Sequence, residues 1–176
     1  MRVLLISLWV AVWATVLGAC SVVDHAGGDT VLAMNAKWVL LPIANHTDTP
    51  QAGLRAEAIA ETLLRARGLQ TLTHYPPEIN PDALFEPAER KVQQDAQKWA
   101  RDQGARYALS GSVDEWRYKV GVDGEPAVGM MLQVVDLQSG NVVWSAVGGK
   151  SGWSRESLAV VAQKLMRELL ASATLK

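Results

Sequence analysis

The sequence predicts a single α/β domain in which three helices pack on a mixed sheet of about five strands. Three observations carry this prediction. Short apolar runs rich in β-branched residues alternate with segments of helical period in the first part of the mature chain. Three strand-like runs joined by glycine-containing turns follow, and the chain closes on an amphipathic helix. Strand–helix alternation favours parallel pairing and a meander favours antiparallel pairing, so the combination gives a mixed sheet. No internal repeat or second domain interrupts residues 37–176, a length that suits one domain.

Taken in order, "WVLLPI" from Trp38 to Ile43 is a short apolar run that suits a buried strand. After the loop "ANHTDTP", Thr49 is placed as an N-cap with Pro50 in the first helical turn. The helix extends to about Arg67, with Ala52, Ala56, Ile59 and Leu63 as its inner stripe and Gly68 as its stop. "LQTLTHY" reads as the second strand, and the proline-rich "PPEINPDALFEP" as a connection. A polar helix over about Ala88 to Gln103 has a narrow face of Val92, Ala96 and Trp99. Tyr107–Val120, Val128–Leu137 and Val142–Val147 are three strands in series. The last is apolar on both faces, as a central strand is. The final helix is expected to start near Ser154, with Leu158, Val161, Leu165 and Leu169 on one face.

The N-terminus is of another kind. Met1-Arg2 is followed by an apolar run from Val3 to Leu17 whose only polar side chains are Ser7 and Thr15, then by the small residues Gly18 and Ala19. This is the pattern of a secretory signal peptide over residues 1–19. The run is short for a membrane span, which takes about 20 apolar residues. The solitary cysteine, Cys20, stands directly behind it. A lone cysteine forms no internal disulfide, and no Cys/His cluster suggests a metal site; no cofactor is expected. Residues 20–36 show no helical or strand period and contain Gly27-Gly28, so they read as a tether. Its 16 residues after the cysteine reach at most roughly 55 Å when stretched.

Losing the signal removes Arg2 and no acidic residue, which leaves 18 acidic against 16 basic side chains. A balance this close to neutral argues against nucleic acid as a partner. Catalysis finds no site. His25, His46 and His74 are scattered, and no serine lies in a nucleophile-elbow motif. "GGKS" at 148–151 lacks the first glycine of a phosphate loop, since Trp144 stands there inside a strand. Asp114 and Glu115 are adjacent, so strand alternation points them to opposite faces. The seven tryptophans against one phenylalanine are unusual. Trp38, Trp99 and Trp144 are assigned to the core.

Leu17-Gly18-Ala19-Cys20 resembles the bacterial lipobox, in which the cysteine thiol accepts diacylglycerol and the amine freed by cleavage is acylated. Ser21 in place of an Asp resembles sorting to the outer membrane. The stretches "WVLLPIANHTDTP" and "GARYALSGSV" resemble periplasmic lipoprotein domains with the fold of the N-terminal part of TolB, a group that includes LpoB-type activators and CsgG-type export proteins. From Gly104 onward, through "VVDLQSGNVVWSAVGGKSGWSRESL", the chain is similar to the PelC-type lipoproteins of the Pel polysaccharide export system. That resemblance implies a non-enzymatic lipoprotein on the inner leaflet of the outer membrane. It implies self-assembly into a ring, a dodecamer, whose acidic funnel guides a cationic amino-sugar polymer towards a PelB-like porin. The alternative is a monomeric LpoB-like adaptor or activator.

Under this reading Asp123, with Glu125 beside it in the hairpin tip "GVDGEP", lines the funnel, and Asp114 and Glu115 are secondary candidates. Ordinary turn chemistry also accounts for an Asp before a Gly. Trp153 is assigned to membrane contact, with Lys150 and Arg155 near lipid headgroups. A second account makes Trp153 the hydrophobic-staple partner of Leu158, with Ser154 as the helix cap.

Overall fold

The computed structural model describes residues 21–27, 30–76, 86–121 and 124–176. The signal segment, Cys20 and Asp123 lie outside the described residues. In chain order the elements are β1 (Ser21–Ala26), β2 (Val31–Leu32), β3 (Trp38–Asn45), α1 (Ala52–Ala66), β4 (Leu72–His74), α2 (Glu86–Asp102), β5 (Tyr107–Tyr118), β6 (Pro126–Asp136), β7 (Val142–Ser151), α3 (Leu158–Ala171) and β8 (Thr174–Leu175). The main sheet has six strands in the order β1-β7-β6-β5-β3-β4. β4, β3 and β5 run parallel; β5, β6, β7 and β1 run antiparallel. The mixed sheet with three helices is as the alternation and the meander predict.

The sixth strand corrects the expectation of a tether. Ser21–Ala26 pairs along its whole length with β7, from Ser21 opposite Lys150 to Ala26 opposite Ser145. β2 pairs in parallel with β8 in a small second sheet. Neither strand has a strong pattern of its own. Partners at the far end of the chain make them strands, which is how β structure is usually decided.

One face of the sheet packs on α1 and α3 around Trp38, Leu40, Leu109, Met130, Leu132 and Trp144. The other carries a smaller core in which Val39, Leu41 and Ala108 meet Ala96 and Ala100 of α2. Trp99 is half-buried there, edge-on to Tyr75 with ring centroids 5.3 Å apart. α3 packs across β6, β7 and β1.

α1 is turned slightly from the expected stripe. Ala52, Gly53, Ala56, Glu57, Ala60 and Leu64 are buried, while Ile59 and Leu63 are only partly so. The cause is close approach to β3, since a Cβ on Gly53 would stand 2.1 Å from the Ile43 carbonyl oxygen. Thr49 is not the cap; Gln51 is, with φ of 60°, and the Thr49 hydroxyl donates instead to the Trp116 carbonyl. β3 bulges between Leu40 and Ile43, around Pro42. The bulge turns the Ile43 N–H onto the buried Glu57 carboxylate (2.8 Å), and His74 donates to the same carboxylate from β4 (2.8 Å). Glu57 therefore holds its burial through hydrogen bonds.

Candidate functional site at one pole of the sheet

The register brings one end of the sheet together from five strands. β3 and β5 finish there, β6 and β1 start there, and β7 finishes there. Ser21 lies opposite Lys150, Ala127 opposite Ser151, and Tyr118 opposite Pro126. The 119–125 hairpin and the 152–157 loop therefore flank each other, tied by the Gly152 N–H to the Pro126 carbonyl (2.8 Å) and by Lys119 Nζ to Ser151 Oγ (2.7 Å). Every site residue that the sequence singles out within the described stretches lies on or near this pole.

Trp153 tops the second loop and is 58% exposed. The staple account is corrected. α3 begins at Leu158 with Ser157 as its N-cap, so Trp153 is too far upstream to pair with the first turn. A closed turn over 153–156 intervenes. The Trp153 N–H donates to Glu156 Oε2 (3.1 Å), and the Glu156 N–H donates to the Trp153 carbonyl (2.9 Å). Arg155, at φ of 69°, takes the left-handed position within it. Lys164 also binds Glu156 (2.5 Å), and with the Trp153 N–H it holds that carboxyl below its ordinary pKa. Tyr118 ties the loop to β5; its Oη accepts the Leu158 N–H (3.1 Å) and donates to the Glu156 carbonyl (3.4 Å). The indole thus stands out from a braced turn.

Lys150 is corrected too. Its side chain is 9% exposed and its ammonium pairs with Glu168 of α3 (2.6 Å), because alternation sends it to the helix-covered face. It is not free for headgroups in this arrangement, whereas Arg155 is exposed beside Trp153.

Glu125 is exposed, and no ion pair to it forms among the described residues. Asp114 and Glu115 do not diverge as alternation requires. β5 bulges between Val113 and Glu115, and both carboxylates line one cleft of about 490 Å³ with His46, Thr47, Asp48 and Trp116. Their charges are answered locally. Asp114 accepts from the His46 ring (2.9 Å) and from Ser112 Oγ (3.2 Å), and Glu115 accepts from Arg117 (2.9 Å). His46, Asp48, Tyr118 and Glu156 were not legible as members of the pole, because each reaches it through a turn or a bulge with no pattern of its own. "GGKS" continues β7, where Gly148 and Gly149 face partners on both sides. Its amides serve the sheet rather than a phosphate. Among the described residues, no helix is long and apolar enough to cross a membrane.

Solved structures share this architecture. The PelC dodecamer from Paraburkholderia phytofirmans matches in two crystal forms at 41% identity and a TM-score of 0.75, over 89% of this chain and 99% or 100% of that chain. Lipoprotein GNA1162 from Neisseria meningitidis matches at 17% identity and a TM-score of 0.52, over 76% of this chain and 96% of that one, a likeness of fold alone. The family of the peptidoglycan-synthase activator LpoB matches residues 83–148. Among curated proteins, none matches the sequence. The mixed sheet with its three helices defines a small single α/β domain. Within that class, the identity and the coverage of nearly the whole relative are decisive: this chain belongs to the PelC family.

Proposed function

We propose that this protein is a lipid-anchored subunit of a periplasmic ring that passes the Pel polysaccharide towards its outer-membrane pore, without catalysing a reaction. The observation that carries the reading is the pairing of β1 with β7. Ser21 lies opposite Lys150, three positions from the exposed Trp153. Consecutive Cα atoms are about 3.8 Å apart, so Cys20 is covalently tied to the pole that carries the indole. Acyl chains on that cysteine contribute about 0.8 kcal/mol per buried methylene, and several chains anchor stably. Lipid anchor, Trp153 and Arg155 then meet the inner leaflet of the outer membrane together. The strand that begins at Ser21 stands where a loose tether was expected.

In a ring, the 119–125 hairpin of each subunit repeats around the opening. Asp123 and Glu125 become a belt of negative potential even though each subunit is nearly neutral, and such a field concentrates a cationic amino-sugar chain. Each exposed ion pair contributes about 0–1 kcal/mol, weak enough for the polymer to move on to a PelB-like porin. The relative from P. phytofirmans is a dodecamer, which supports the ring. The test is export by a strain whose own copy is replaced by Asp123→Asn/Glu125→Gln. Reduced polymer outside the cell with ring assembly intact supports the funnel; undiminished export sinks it.

The LpoB match over residues 83–148 favours a second reading, a monomeric adaptor for another envelope machine. A wild-type chain that stays monomeric both in detergent and on vesicles would favour that reading over the ring.

A further inference from the structure

We propose that Glu156 is the positioning residue for membrane contact: its carboxylate closes the 153–156 turn, so that the Trp153 indole meets the bilayer from an ordered loop. The proposal rests on the membrane reading of Trp153 above and names the group that prepares that contact. Trp153 lies between β7 and α3, in a stretch with no strand or helix of its own to hold it. A loop that must be ordered on binding loses affinity to the entropy of ordering. One side chain removes that cost here. The two oxygens of Glu156 serve two different donors: Oε2 accepts the Trp153 N–H (3.1 Å), and Oε1 accepts from Lys164 of α3 (2.5 Å). The backbone closes the same turn in the other direction, from the Glu156 N–H to the Trp153 carbonyl (2.9 Å).

The surroundings are built to this carboxylate. A Cβ on Gly152 would stand 2.6 Å from Glu156 Oε2, 2.5 Å from Val161 Cγ2 and 2.9 Å from Pro126 Cγ, so only glycine before the indole leaves the carboxylate its place. Arg155, at φ of 69°, is in a conformation that a residue with a Cβ keeps only when its surroundings hold it. Tyr118 Oη bridges the Leu158 N–H and the Glu156 carbonyl, which fixes the turn to β5 as well as to α3. An acidic residue just before a helix is also favoured by the helix dipole. That role would show in the stability of α3 and not in the order of the Trp153 turn.

The test uses the mature chain with Cys20→Ser, so that acyl chains do not mask the loop's own contact. It reads flotation with vesicles of phosphatidylethanolamine and phosphatidylglycerol, beside hydrogen–deuterium exchange over residues 153–158. Trp153→Ala sets the full contribution of the indole, about tenfold in vesicle binding. Glu156→Gln offers one oxygen to two donors; it is expected to speed exchange over 153–158 and to weaken binding about threefold at an unchanged melting temperature. In a Lys164→Met background the amide oxygen is free for the Trp153 N–H, so there Glu156→Gln is expected to change neither reading. Should Glu156→Gln lower the melting temperature, Tyr118→Phe loosens the same turn with the carboxylate in place, and the same loss of binding is expected. Faster exchange without weaker binding, or an equal effect of Glu156→Gln in both backgrounds, overturns the positioning role and leaves the membrane reading in place. A Trp153→Ala chain that binds as the wild type does overturns both.

Discussion

β3 and β5 lie between α1 on one face and α2 on the other, whereas β7 and β1 are covered by α3 on one face and, among the described residues, carry no helix on the other. The contrast follows from how the strands are joined. Parallel neighbours need a crossover, and the crossover helices come to rest on the sheet and cover it. The antiparallel neighbours β5 and β6, and β6 and β7, follow each other in the chain through 119–125 and 137–141 with no helix between them. β3 is therefore core on both sides, through Trp38 and Leu40 on one and Val39 and Leu41 on the other. In the antiparallel half Val22, Val142 and Val147 stand exposed on the face that carries no helix.

The largest effects should come from breaking the closed half. Trp38 is 1% exposed, donates to the Ala33 carbonyl (3.0 Å) and packs on Tyr107. Trp38→Ala is expected to cost about 3–5 kcal/mol in urea unfolding. A loss below about 1 kcal/mol would dissolve the contrast between the halves.

Glu57→Ala should follow at about 1–3 kcal/mol, since it strips the Ile43 N–H of its acceptor. Glu57→Gln keeps an acceptor and should cost less; equal losses would assign the effect to packing.

The same cluster has a pH signature. The hydrogen bond to Glu57 raises the His74 pKa against the opposing pull of burial, with Glu57 and Glu61 adding to the rise; Arg65, hydrogen-bonded to Glu61, is the neighbouring cation. A raised folded value means that the stabilisation is full below the ordinary histidine value, about 6.5, and fades as pH climbs through the raised one. The stability gap between wild type and His74→Gln should therefore widen from about pH 8 to about pH 6. A gap that stays constant would remove the charge from the account.

In the antiparallel half, Val147→Glu should leave the stability of the single chain within about 0.5 kcal/mol, because the side chain is 48% exposed. A loss comparable to that of Trp38→Ala would mean that the face is packed. At the pole, Trp153→Ala is expected to have the smallest effect on unfolding, also within about 0.5 kcal/mol, while weakening retention on anionic vesicles. Unchanged retention would leave the exposed indole without a membrane role.

The three helices and the three-strand meander were legible because each announces itself locally, as Leu158, Val161, Leu165 and Leu169 do on α3. Core tryptophans were legible in the same way for Trp38 and Trp144. The pole was legible only as separate pieces. Asp114 and Glu115 seemed to diverge under strand alternation, and a bulge turned both onto one cleft. Trp153 fitted a staple on spacing alone, until the turn closed by Glu156 moved the start of α3 to Leu158. Lys150 was placed beside the indole by sequence distance and faces the other side of the sheet.

The sequence by itself determined the α/β class, the order of its elements, the lipobox-like cysteine and the near-neutral charge, because periods, turns and composition are set by residues a few positions apart. Only the tertiary structure decided that Ser21–Ala26 is a strand, that it begins opposite Lys150 near the Trp153 pole, and that, among the described residues, no helix lies on one face of β7 and β1. Those features depend on which distant segments pair and on where three helices run out of sheet to cover, and no local pattern of residues carries that information.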